Sequence, residues 1–254
     1  MPPFDVHEFA ATTHGSLRAE LPDVVVFDAG SAELVETLRR AEAATMAHLR
    51  NVLVTPTHKD ARVTAFLVSW AFEKFWIADA LNAISSGGPS VAGAHLASSR
   101  TPGPLRRSVA GAFSGTAVVA AHMTQGLIDD TILDAAYDEL AGRVDGLRPL
   151  TERIRAVKSR HTRFFAEEAE RRLAASARSV RVTRRVLHRE SQPIGSGTWT
   201  NAQRAGFAEA VFGSGRGAER AEHVAQTIAA LPGVGADAAR RLVDRNIRNL
   251  LRRS

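Results

Sequence analysis

Four ionisable residues fall where a helical chain puts its apolar side chains. Glu73 lies between Phe66, Trp70, Ile77 and Ala80, at steps of three or four residues, which sets it on the same helix face as they are. Glu42 follows Leu38 and precedes Thr45 and Leu49 at the same spacing. Asp130 sits between Leu127 and Asp134, with Tyr137 one turn beyond, and His161 sits between Ile154, Val157 and Phe164, Phe165, Ala169. A carboxylate on such a stripe must be paired, protonated or metal-bound, because a bare buried charge is strongly disfavoured. Carboxylate and imidazole donors converging from four helices are what di-iron and di-manganese bundles use. Glu42, Glu73, Asp130 and His161 are therefore the candidate metal ligands.

The elements that must carry them follow from the periodicity. The spacing predicts long helices over Ser31 to Val54, His58 to Ile84, Leu105 to Val144, and Leu150 to beyond Leu173, the last continuing towards Leu187. Ser31 and Thr57 are N-cap candidates. Ser85 to Pro104, with four Gly and three Pro, reads as a long crossover between the second and third helices. Gly, Ala and Ser in the first half of the third helix permit close helix approach. Short helices are expected near Asn201–Phe212, Gly217–Leu231 and Ala236–Leu251, and essentially no strand. Residues 1–30 read as an irregular lead-in, 31–190 as a helical bundle and 191–254 as a basic helical extension.

Composition agrees with an all-α chain. Of 254 residues, 44% are hydrophobic, mostly Ala, Leu and Val, and there is one tyrosine. The absence of cysteine excludes disulfides, thiolate metal sites and cysteine catalysis. No signal peptide, membrane-spanning run, nucleotide-binding glycine pattern, nucleophile elbow or internal repeat is found, so a soluble cytoplasmic protein is expected. From Arg181 onward there are 13 Arg and 6 acids, a net of +7 within a chain total of +6, so the first 180 residues are near −1. Such a tail suits nucleic acid, an acidic partner or an anionic surface, or reflects a GC-rich genome.

Three segments bear a family resemblance. Trp70-Ala-Phe-Glu73-Lys-Phe-Trp76, followed by a small-residue run to Leu81, resembles the second helix of ferritin-like di-iron proteins of the acyl-carrier-protein desaturase and rubrerythrin type. Asp130 with Tyr137 and Leu140-Ala resembles their third helix. Ile154, Lys158, Arg160-His161 and Phe164-Phe165 resemble the fourth. The resemblance covers about residues 31–175 and implies a ferritin-like four-helix bundle around a di-iron site. The departures are as informative. The family's second-helix histidine falls on Trp76, its fourth-helix glutamate on Lys158, and Asp130 stands where a longer Glu is usual. Glu73 and His161 survive by transfer, with Asp130 and Glu42 as additions.

Two metals normally need about six protein ligands including bridging carboxylates, and four are on offer. This favours loss of the cluster, with no cofactor. Iron or manganese remains the metal if the site works, held singly by Glu73, His161 and Asp130, or as a pair with Glu139 or Glu168. A polar core network is the plain alternative, in which Lys158 pairs with Glu73 or Asp130 and His161 bonds Asp130 or Tyr137.

Ile228 to Leu242 resembles a helix-hairpin-helix, with Pro232-Gly233-Val234-Gly235 as its turn and Arg240 and Arg241 on its second helix, so that Gly233, Gly235, Arg240 and Arg241 are the nucleic-acid candidates. Apolar-Pro-Gly-x-Gly turns also join ordinary packed helices, and Asp237 opposes a phosphate. His58, His122, His188, His223 and Trp199 read as packing or surface residues, and Glu167, Glu168 and Glu170 as a solvated face paired with Arg171 and Arg172.

Three functions are thus weighed. One is a non-catalytic binding or scaffold protein with a degenerate di-iron site, taking an apolar ligand or protein partner, as a homodimer by analogy. The second is a metal-dependent oxidoreductase acting on an apolar substrate. The third is a DNA-binding protein working through its C-terminus.

Overall fold

The computed structural model describes residues 2–85, 115–189, 192–213 and 215–251. Ten α-helices are described, and there is no strand among the described residues. They are α1 (Val6–Ala11), α2 (Ala29–Ala43), α3 (Thr45–Leu53), α4 (Ala61–Ser85), α5 (Ala117–Arg143), α6 (Arg148–Ala175), α7 (Ala177–Arg189), α8 (Asn201–Phe212), α9 (Gly217–Ala229) and α10 (Ala236–Leu251). The expected crossover and the start of the third helix lie outside the described residues.

The long helices pack in antiparallel pairs, α2 with α4 and α5 with α6. Contacts of α2 with α5 and of α4 with α6 close the bundle. One continuous core runs through it, including Leu38, Phe66, Leu81, Leu133, Ile154, Phe164 and Phe165. Phe66 and Phe164 stack at 3.7 Å between centroids, tying α4 to α6. Gly126 of α5 allows a close approach of α6: a Cβ there would lie 2.4 Å from the Phe165 ring.

Caps explain where the helices start, and some starts differ from expectation. Asp28, rather than Ser31, caps α2, its carboxylate accepting the Ser31 N–H at 2.9 Å. Its second oxygen accepts from the Ser31 hydroxyl at 2.7 Å, so that side chain serves the cap instead of forming it. Thr55, not Thr57, caps the short 3-10 turn Pro56–Lys59, and Asp60 accepts the Val63 N–H at 3.0 Å at the head of α4. The expected first helix is two, bent at Ala44, against whose Cβ Gly195 packs. Gly195 has φ +82° and no room for a side chain there, so both its conformation and its contact demand glycine. The fourth helix does not run on to Leu187: Ser176 is extended at φ −154°, and α7 turns to pack on α5.

The lead-in is more ordered than expected. Asp5 caps α1 by accepting from His7 and Glu8 N–H groups. The segment lies along α4 and α6, held by the Phe4 N–H on Glu167 and by Arg160 on the Phe9 and Thr12 carbonyls. The extension, α8 to α10, packs on α2 and α5.

Candidate functional site: a buried carboxylate and ammonium cluster

All four sequence candidates are buried, Glu42 and Glu73 at 1% exposure, Asp130 and His161 at 0%. The surrounding helices bring two lysines into the same place. Lys74 and Lys158 are each 0% exposed. Lys158 Nζ donates to Asp130 Oδ1 at 2.5 Å and to Glu42 Oε1 at 3.1 Å. Lys74 Nζ lies 3.1 Å from Glu42 Oε2, 3.3 Å from Asp130 Oδ1 and 2.9 Å from Asp129 Oδ2. Glu42 and Asp130 thus each hold both ammonium groups, as bridging carboxylates hold two metals.

The rest of the cluster completes the polar bonding. Tyr137 donates its hydroxyl to Glu42 Oε1 at 3.0 Å, and Trp70 Nε1–H donates to Asp130 Oδ2 at 3.1 Å. His161 stands between two carboxylates, Nε2 at 2.6 Å from Glu73 Oε2 and Nδ1 at 3.4 Å from Asp130 Oδ2. Glu73 marks the outer end of the cluster: its Oε1 accepts the His14 N–H at 2.7 Å and lies 3.6 Å from Arg160. At the other side Asp129 Oδ1 accepts the Ile194 N–H at 2.7 Å, so the extension is bonded directly to the charged core.

Electrostatics follow from this geometry. Burial pushes the Asp130 carboxyl up, but Lys158, Lys74 and His161 outweigh it and hold the group well below the usual carboxylate range. Glu42 is lowered in the same way, burial being overcome by Lys158 and Lys74. Burial opposes the charge of Lys74, yet Asp129, Asp130 and Glu42 raise its pKa well above that of a free lysine. Asp129 is raised, by burial and by the neighbouring Asp130. Tyr137 is pushed well up by burial and by Glu42, so its phenol stays protonated.

Two expectations are corrected. Of the two partners expected for Lys158, Asp130 pairs with it, joined by Glu42, while Glu73 pairs instead with His161. Trp76 is not in the cluster: it packs half-buried against Phe72 and Phe75. Lys74 takes the inward place beside Glu73, which the one-residue offset between them left open. Its signal was present, four residues after Trp70 and three before Ile77. Asp129 carried no signal beyond adjacency to Asp130.

The donor set does not fit a metal. Among the described residues, no group of three or more His, Asp or Glu is disposed to hold one. Glu42 and Asp130, the two carboxylates best placed to bridge, are engaged by fixed cations. The reserve ligands lie elsewhere, held by arginines: Glu139 by Arg143 and Arg220, and Glu168 by Arg62, Arg171 and Arg172. Glu168 is fully buried, not part of a solvated face. Its carboxyl is lowered, burial being outweighed by Arg171 and Arg172.

The hairpin candidates are spread over different surroundings. Gly233 has φ +77° and packs its Cα face on Val180 of α7, while its carbonyl accepts from Arg184. Gly235 is open, Arg240 pairs with Glu222 at 3.1 Å, and Arg241 is exposed. Among the described residues no helix is long and apolar enough to cross a membrane. No family model matches the chain, and no curated protein or solved structure matches it either.

Proposed function

We propose that this chain is a ferritin-like bundle in which two lysine ammoniums do the electrostatic work of two metal ions, and that it serves as a non-catalytic binding or scaffold protein. The observation that carries the reading is the shared grip of Glu42 and Asp130 on both Lys74 and Lys158. Di-iron bundles take one Glu from each of two helices and a Glu-x-x-His from each of the other two. Glu42 of α2 and Asp130 of α5 suit the first role. Lys74-x-x-Ile77 on α4 and Lys158-x-x-His161 on α6 suit the second, one residue along from the register Glu73-x-x-Trp76.

Charge balance bears on this register. Four carboxylates balance two divalent cations in a di-iron bundle, and here Glu42 and Asp130 face Lys74 and Lys158. Asp129 beside Lys74, and Glu73 between His161 and Arg160, are further carboxylates at the edges of the cage. Lysines in the two motif places thus give the bridging carboxylates fixed counter-charges without metal. Glu42 and Asp130 are engaged by the ammoniums, the phenol of Tyr137 is held protonated, and the imidazole of His161 stands between Glu73 and Asp130, which supports the non-catalytic reading.

Elemental analysis of protein purified from iron- and manganese-replete cells tests the reading. The expected metal content is far below one atom per chain. A content of about two atoms per chain, lost on Glu42→Ala, overturns it in favour of the oxidoreductase.

A further inference from the structure

We propose that α7 and the adjoining face of α10 form a binding surface for the phosphate backbone of a nucleic acid. The thirteen residues of α7 carry Arg178, Arg181, Arg184, Arg185 and Arg189, together with His188, and no acid. Arg181, Arg185 and Arg189 are exposed and recur every four residues, which sets them along one side of the helix. At 1.5 Å per residue this row is about 12 Å long, comparable with the axial rise of about three or four base pairs of a duplex, at about 3.4 Å each.

The neighbouring helix extends the surface. Arg245 of α10 donates to the Leu187 carbonyl at 3.3 Å, and Arg184 donates to the Gly233 carbonyl in the turn before α10, so α10 and that turn meet α7 at these points. Arg241 and Arg248 lie one turn either side of Arg245 and are exposed. Asp237 and Asp244 are the acids of α10, and they leave its four arginines in excess.

A general surplus of arginine does not account for this. Many arginines elsewhere are paired: Arg39 and Arg40 with Glu36, Arg155 with Asp134 and Asp138, Arg220 with Asp138 and Glu139. Among the described residues no ion pair involves Arg181, Arg185, Arg189, Arg241 or Arg248. Planar guanidiniums match phosphate oxygens in pairs, which favours a phosphate partner over a diffuse anion. Insertion into a lipid surface needs a free apolar face. That of α7, through Ser179, Thr183 and Leu187, is already buried in the protein. The surface reads no base edges, so binding is independent of sequence.

Fluorescence anisotropy with labelled random-sequence duplex DNA, duplex RNA and single strands tests the proposal on the full chain. Binding is expected at low salt, falling steeply between about 50 and 200 mM. R181S/R185S/R189S should weaken it at least tenfold and reduce the slope of log K against log salt by about 2 to 3 on duplex DNA. R181K/R185K/R189K should keep the wild-type slope, and Arg240→Ser, whose guanidinium is paired with Glu222, should change little. The preferred strand type identifies the nucleic acid. Absence of binding at low salt, an unchanged slope in the serine variant, loss of binding in the lysine variant, or tighter binding to phosphatidylglycerol vesicles or polyglutamate at equal salt overturns it.

Discussion

Lys158 Nζ stands 2.5 Å from Asp130 Oδ1 between two side chains that expose no surface. At that depth neither charge is replaceable alone. Lys158→Met should leave Asp130 and Glu42 under-compensated and cost about 3–5 kcal/mol in urea unfolding. Lys158→Met combined with Asp130→Asn removes both signs together and should cost clearly less than the two single losses added. Strict additivity would mean that the pair is not coupled.

On the proposed register, glutamates at positions 74 and 158 should create a metal site. Lys74→Glu with Lys158→Glu surrounds the same space with carboxylates from all four helices, and such a core is stable only when cations fill it. The double variant is expected to bind about two manganese or iron ions per chain and to melt at a higher temperature with metal than with a chelator. A variant that folds yet titrates no metal would remove the proposed register.

Asp129 links the charged core to the extension through the Ile194 N–H. Asp129→Asn keeps an acceptor for that N–H but gives up the charge beside Lys74. Asp129→Leu loses both. Limited proteolysis should cut within residues 192–200 faster in the leucine variant than in the asparagine variant, with wild type slowest. Equal rates in all three would mean that the extension is held by its apolar contacts alone.

His122 gives a pH dependence of known sign. Its pKa is lowered from 6.5 to about 4 by burial, with Nδ1 at 3.0 Å from the Thr57 hydroxyl. The folded state keeps the ring neutral while the unfolded chain takes up a proton below 6.5. Its contribution is therefore complete above that pH and lost as pH falls towards 4, by about 3 kcal/mol at most. His122→Gln should flatten this part of the stability profile, measured by denaturant midpoint at each pH. Asp130 and Glu42, with lowered pKa values, add their own losses at still lower pH in both proteins.

Gly126→Ala should destabilise despite alanine's better helix propensity. The added methyl would sit 2.4 Å from the Phe165 ring, and overpacking of about 1–3 kcal/mol exceeds the ~1 kcal/mol gain in propensity. Thermal melting decides the sign, and Phe165→Leu in the same background should recover part of the loss.

The sequence by itself determined that the chain is helical, which segments form the extension's helices, and that Glu42, Glu73, Asp130 and His161 turn inward. The 3.6-residue period carries that information because a side chain's face depends only on its position along its own helix. The helices read near Asn201–Phe212 and Ala236–Leu251 are present, the first with the bounds expected and the second starting at Ala236. Tertiary structure decided who pairs with whom. Helices α4 and α5 are apolar nearly all round, so Glu73 with Lys74, and Asp129 with Asp130, could each turn inward, and only the neighbouring helices set the partners. Once α2, α4, α5 and α6 were packed, two ammoniums entered a cage that spacing alone had assigned to metal. In a medium of low dielectric, each carboxylate had to take the nearest cation.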